Sequence, residues 1–248
     1  MTKPPLLLLH GFGGAPPAWD EVRDAIAAGG PRRVIAPALF GHGPPRDDER
    51  GVATFDAEVD RVAALLPDGP VDVAGYSLGG RVTLGLLARH PGKVARAIVV
   101  GANPGLPNDA ERAARREGDE GWAARLERDG IDAFFDAWEA QPLFATQREL
   151  PAAARARQRA LRRGHDPARL AAAMRVLSLS RMPDYAPALA EVRGPVTWIA
   201  GERDPKFRDI ARRGASLSPR GEARIVRGAG HNVVLEAPLA VASALEDP

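Results

Sequence analysis

Pro70-Val71-Asp72-Val73-Ala74-Gly75-Tyr76-Ser77-Leu78-Gly79-Gly80 is the stretch from which the rest of this 248-residue chain can be read. Val71, Val73 and Ala74 form a short apolar run between Pro70 and Gly75, the pattern of a buried parallel strand ending at the glycine. Gly75 to Gly79 then fits G-x-S-x-G, and Arg81 to His90 has helical composition with Val82, Leu84, Leu86 and Leu87 as its apolar residues. Strand, tight turn and helix together predict that the Ser77 hydroxyl projects from a strained bend. Glycines flank it because neighbouring backbones leave no room for a Cβ.

Working outward, Leu6 to Leu9 is an apolar run emptying into His10-Gly11-Phe12-Gly13-Gly14, so it reads as a second buried strand with a glycine-rich loop. A helix is expected over Pro17 to Ala28, stopped by Gly29-Gly30. Arg33 to Pro37 reads as a short strand leading into the loop Gly41-His42-Gly43-Pro44-Pro45. Thr54 caps a helix reaching Leu66, with Asp56 and Glu58 in its first turn. Ala95 to Gly101 is another buried strand. Four strands alternating with helices predict an α/β fold with a mostly or wholly parallel twisted sheet covered on both faces. Residues 1–104 are the first part of this core.

From 105 to 190 β-branched runs disappear and Ala, Arg and Glu dominate, notably over Asp109 to Arg128 and Pro151 to Arg163, so this interval is expected to be an inserted helical cap. Most of its arginines read as solvated helix surface. Residues 191–248 resume the core, with strands at Val196 to Ala200 and Ala223 to Val226 and helices at Phe207 to Ser216 and Pro238 to Leu245.

Composition narrows the chemistry. Cysteine is absent, which excludes disulfides, thiolate catalysis and Cys-ligated metals. Thirty-four Lys and Arg against 32 Asp and Glu give a net charge of +2, which argues against nucleic acid as the main partner. Lysine occurs only at positions 3, 93 and 206, so the positive charge is nearly all guanidinium, suited to two-point contacts with carboxylates. The apolar run before His10 is too short for a signal sequence or a membrane span, which predicts a cytoplasmic protein. No metal or cofactor is expected, and oligomeric state is not legible.

A serine hydroxyl becomes reactive when an imidazole takes its proton and a carboxylate holds that imidazole. In parallel α/β sheets functional groups gather beyond the carboxyl ends of strands. Asp204 follows Val196 to Ala200, and His231 follows Ile225-Val226, so Ser77, Asp204 and His231 are the candidate triad. Glu202 is the rival carboxylate. His10, His42, His90 and His165 read as structural or solvent-facing. Backbone amides of Phe12 and Leu78 are the candidate donors to a developing oxyanion.

The whole chain resembles the α/β-hydrolase fold, and in detail the 2-succinyl-6-hydroxy-2,4-cyclohexadiene-1-carboxylate synthases of menaquinone biosynthesis. Carrying the resemblance are Leu9 to Gly14, Gly75 to Arg81, Asn103-Pro104-Gly105-Leu106, Ala133-Phe134-Phe135-Asp136-Ala137-Trp138 with Gln141-Pro142 and Phe144, Gly201 to Arg208, and Gly230-His231-Asn232. It implies a carbon-oxygen lyase that eliminates pyruvate from a small-molecule polycarboxylate. It further implies Arg81, Arg115 and Arg162 as carboxylate ligands, with Trp138 and Tyr76 against the substrate. Ser77 would then abstract a proton rather than attack a carbonyl. The alternative is a carboxylester hydrolase with Ser77 as covalent nucleophile, since one scaffold hosts many reactions. One departure is Ala38-Leu39-Phe40-Gly41-His42-Gly43, where the superfamily commonly shows Asp-x-Pro-Gly-His-Gly; it takes weight from any role for that loop.

Overall fold

A computed structural model describes residues 3–247; Met1 and Thr2, which open the amino-terminal stretch read above, lie outside them. Six strands form one sheet in the order β2-β1-β3-β4-β5-β6: β1 Leu6–Leu9, β2 Val34–Ile35, β3 Val71–Tyr76, β4 Val94–Val100, β5 Val196–Gly201 and β6 Gly221–Val226. Every pairing is parallel. Strand β2 is shorter than the Arg33 to Pro37 run implied, spanning two residues at the sheet edge beside β1.

Period-two alternation divides the strand side chains between two cores. Leu7, Leu9, Val73, Val99 and Trp198 pack on one face, with Val59 of α2 (Phe55–Ala64), Leu84 of α3 (Leu78–Arg89) and later Ile210. Leu6, Leu8, Ala74, Ile98 and Ile199 pack on the other, against Trp19 and Val22 and Ile26 of α1 (Asp20–Ala27). Thr54 caps α2 as its position implied, accepting from the Ala57 amide at 3.1 Å.

Between β4 and β5 the chain inserts three helices, α4 Asp109–Glu139, α5 Ala152–Arg163 and α6 Pro167–Val176, and no strand falls there among the described residues. Helix α4 breaks at Gly130, whose φ of 78° is non-helical, so its second arm carries Phe134, Phe135 and Trp138 back toward the sheet. A separate apolar cluster joins α4 to α6 through Leu126, Phe134, Phe135, Leu170 and Met174, with Phe12 of the loop after β1 packed on it. The chain then closes with α7 Pro205–Ala215, the short α8 Val233–Glu236 and α9 Pro238–Glu246.

Strand order reverses between β1 and β3, which opens a crevice beyond their carboxyl ends. Three buried histidines brace the loops there. The Leu39 amide donates to His10 Nε2 (3.1 Å), that of Gly13 to His42 Nε2 (3.0 Å) and that of Gly43 to His165 Nδ1 (3.1 Å). The rings of His10 and His42 lie 4.9 Å apart, and those of His42 and His165 5.3 Å. His10, His42 and His165 are therefore structural, and the Ala38 to Gly43 loop, despite its departures, is part of the site's frame.

Burial pushes His10 down to about 4 and lowers His42 and His165 as well. Each histidine protonates near pH 6.5 in the unfolded chain but resists it when folded, so stability present above that pH is lost as pH falls from about 6.5 toward 4. His10 alone should cost about 2 kcal/mol between pH 7 and 5, before most carboxylates titrate. Urea unfolding across that range should show the midpoint falling; an unchanged midpoint would mean that the rings titrate normally in the folded protein.

Candidate active site

Ser77 occupies the turn between β3 and α3 with φ 51° and ψ −105°, the one positive φ outside glycine among the described residues. Such backbone costs on the order of 1–3 kcal/mol and persists only where its surroundings enforce it. The enforcement is steric. A Cβ on Gly75 would lie 2.2 Å from the Gly79 carbonyl oxygen, and one on Gly79 would lie 2.1 Å from that of Leu9. Strand β3 runs on through Tyr76 and α3 starts at Leu78, earlier than the composition from Arg81 suggested, because close packing of Gly79 on β1 and of Gly80 on Ala102 admits both glycines into the helix despite their weak propensity.

Asp204 and His231 are brought together by the loops after β5 and β6. The Glu202 amide donates to the Val226 carbonyl (2.9 Å) and the Arg203 amide to that of Ala229 (2.9 Å). At Gly201 a Cβ would lie 2.1 Å from the Gly230 oxygen, so the two loops touch through backbone. Asp204 Oδ1 caps α7 by accepting from the Phe207 amide at 3.1 Å, and Oδ2 accepts from His231 Nδ1–H at 2.8 Å. Both residues are buried. Nδ1 thus carries the proton, and Nε2 is left without a partner among the described residues. Phe207 at 4.4 Å and Tyr76 at 5.5 Å fix the imidazole plane. The rival Glu202 instead accepts from the Gly228 amide in a turn.

Ser77, His231, Phe12, Leu78 and Tyr76 line one cavity of about 480 Å³. The Phe12 and Leu78 amides, the expected oxyanion donors, make no hydrogen bond to protein among the described residues. Burial pushes the Tyr76 phenol up, so it stays a neutral hydroxyl.

Arg81, Arg115, Arg162 and Trp138 line the same cavity although they lie far apart in the chain. Like-charge repulsion is not left to a ligand alone. Arg115 Nε contacts both Asp119 oxygens at 2.8 Å, and Arg162 pairs with Glu139 at 2.9 Å. Arg81 differs. It donates to the Leu177 carbonyl (2.8 Å), lies 5.5 Å from the Phe55 ring, and has no carboxylate partner among the described residues. Burial, reinforced by Arg115, pushes it down to about 9.

Three contributors escaped the sequence reading. Asp119 joins Arg115 and the Ser178 hydroxyl (2.7 Å), and its spacing of four from Arg115 was the available signal. Lys206 adds a cation to the lining next to Asp204 and has no ion-pair partner among the described residues. Trp122 meets Trp138 edge-on at 5.1 Å, a contact created by the Gly130 break and invisible in sequence.

Residues 6–244 match the model of the alpha/beta hydrolase family. The chain is 37% identical over 248 residues to a 2-succinyl-6-hydroxy-2,4-cyclohexadiene-1-carboxylate synthase of Klebsiella pneumoniae (strain 342), covering 98% of this chain and 92% of that one. It is 34% identical to the synthase of Enterobacter sp. (strain 638), covering 98% and 90%. Among solved structures, MenH from S. aureus superimposes with a TM-score of 0.93 at 29% identity over 99% of this chain and 92% of the other. A thermophilic esterase from Thermogutta terrifontis, malate bound, superimposes with a TM-score of 0.84 at 25% identity over 98% and 88%.

The contacts around the elbow set a direct comparison. Gly79→Ala should destabilise the protein by about 2 kcal/mol or more, since the new methyl meets β1 backbone that cannot yield. Gly92→Ala, with nothing within 4 Å of the added carbon, should stay within about 0.5 kcal/mol of the parent. Equal urea midpoints for the two variants would mean that the β1 contact does not constrain the turn.

Proposed function

Because this chain belongs to the alpha/beta hydrolase family, we propose that it uses that scaffold as a carbon-oxygen lyase, eliminating pyruvate from 2-succinyl-5-enolpyruvyl-6-hydroxy-3-cyclohexene-1-carboxylate to give 2-succinyl-6-hydroxy-2,4-cyclohexadiene-1-carboxylate in menaquinone biosynthesis in the cytoplasm. Arg81 carries the reading. A half-buried guanidinium with no carboxylate partner among the described residues, one turn after Ser77, calls for an anionic ligand there, whereas a neutral ester gives it nothing to bind.

In this reading Arg81, Arg115 and Arg162 hold the succinyl, ring and enolpyruvyl carboxylates of the substrate, which fixes the reacting carbon against Ser77. Asp119 and Glu139 hold two of the guanidiniums in place while leaving their remaining N–H groups for the ligand. Trp138 and Tyr76 wall the cavity, and residues 105–190 act as the cap above it.

His231 accepts the Ser77 proton at Nε2, and Asp204 stabilises the resulting imidazolium through Nδ1. The serine oxygen removes the proton beside the succinyl carbonyl, and the electron pair moves onto the carbonyl oxygen to form an enolate. The Phe12 and Leu78 amides receive that charge. Collapse of the enolate forms the ring double bond and breaks the carbon-oxygen bond, and the departing enolpyruvate takes up a proton to become pyruvate. Attack by Ser77 on an ester carbonyl would use the same parts, and the likeness to the Thermogutta terrifontis esterase keeps that reaction as the comparator.

Pyruvate release should be followed beside hydrolysis of a small aryl ester. Ser77→Ala should lower turnover of the tricarboxylate by about 10³-fold or more with the fold intact. Arg81→Ala should cost about 2 to 5 kcal/mol in kcat/KM if its carboxylate partner is desolvated. A fall of less than about threefold at Arg81, Arg115 and Arg162 alike, or faster ester hydrolysis than pyruvate release, would move the assignment to a carboxylester hydrolase.

A further inference from the structure

His165 lies outside the catalytic cavity, in the cap between α5 and α6, yet it touches both core loops that frame the crevice. Its Nδ1 accepts from the Gly43 amide at 3.1 Å, so Nε2 must carry the proton, and Nε2–H faces the Gly13 carbonyl at 3.2 Å. Gly13 is thereby held at both of its polar groups, since its own amide donates to His42 Nε2 at 3.0 Å. The opposite neighbour of Phe12 is held through its carbonyl. The Gly11 carbonyl accepts from the Gly14 amide at 3.0 Å and from His10 Nδ1–H at 2.8 Å. The Phe12 N–H has no protein acceptor among the described residues, and Phe12 lines the cavity.

The cap also fits Gly13 sterically. Its φ of +68° suits glycine, and a Cβ there would come 2.7 Å from Phe135 of α4. We propose that His165 is a positioning residue through which the seated cap fixes the Gly11–Gly14 loop and so aims the Phe12 amide at the developing oxyanion. The path runs His165 to Gly13 to Phe12, with His42 as the core-side anchor of the same glycine. Arg162 lies beside this brace, its guanidinium 5.7 Å from the Phe135 ring, but neither it nor Arg115 hydrogen-bonds to the brace among the described residues.

This inference rests on the proposed role of the Phe12 amide, and its test separates the two. His165→Ala should lower kcat about 10- to 100-fold, less than the 10²–10³ of deleting an oxyanion donor outright, with KM within about threefold. His165→Gln, which keeps a donor for the Gly13 carbonyl, should restore kcat to within about threefold of the parent. An unchanged kcat in His165→Ala, or a kcat loss matched by KM and not relieved by Gln, would overturn the proposal. If His165→Ala does not fold, imidazole ¹⁵N spectra of the parent protein decide: protons on Nε2 of His165 and on Nδ1 of His10 and His42 are required, and the reverse tautomer at His165 refutes the brace. If the parent releases no pyruvate, the lyase reading fails on its own, and the same variants are compared on aryl ester hydrolysis, which uses the same amide.

Discussion

Close contact between backbones at Gly75, Gly79 and Leu9 is the constraint on which the site depends. Three segments converge there: the end of β3, the first turn of α3 and the end of β1. Side chains at either glycine would force them apart, and without that convergence nothing would hold Ser77 in a conformation that costs on the order of 1–3 kcal/mol. The same convergence sets the Leu78 amide, free at the helix start, beside the loop that supplies the Phe12 amide. Strain at one residue and two available donors therefore come from a single packing event. A second backbone contact of the same kind, Gly201 against Gly230, brings Asp204 to His231.

Electrostatics then shape what the cavity accepts. Gathering three guanidiniums in one cleft is costly, above all for the buried Arg162, and the protein offsets part of the repulsion internally, with Asp119 for Arg115 and Glu139 for Arg162. Those carboxylates also restrict the side chains. Arg81 has no such carboxylate among the described residues, so uncompensated positive charge concentrates next to the elbow. Exposed Lys206, at the start of α7, adds positive charge to the same lining without a burial cost.

The inserted helices are more than a lid of charge. Their apolar cluster takes in Phe12 from the core, and Trp138 stacks on Phe134 with rings 5.4 Å apart while tilting over Phe12 at 5.5 Å. Arg169 of α6 reaches the Gly43 carbonyl and Glu49, so the same insertion grips the loop after β2. Cap and core thus meet at the loops after β1 and β2 that frame the crevice.

Residue order alone determined much of this protein. G-x-S-x-G between a strand and a helix, and acidic and histidine residues placed just beyond strands, pointed to Ser77, Asp204 and His231 as a candidate triad, because strand ends in a parallel sheet all point to one edge. Period and composition separated core from insertion, since β-branched runs and Ala/Arg-rich segments have different preferred backbones. Pairing was beyond its reach. Spacing along α4 offers Asp119 to Arg115, but that Arg162 is matched by Glu139 depends on the distance between α5 and α4, which spacing along one helix does not encode. Nor did sequence tell that His10, His42 and His165 form one brace, because a histidine's role is set by the amides and carbonyls that reach its two nitrogens, and those come from loops up to 152 residues apart that only the folded sheet brings together.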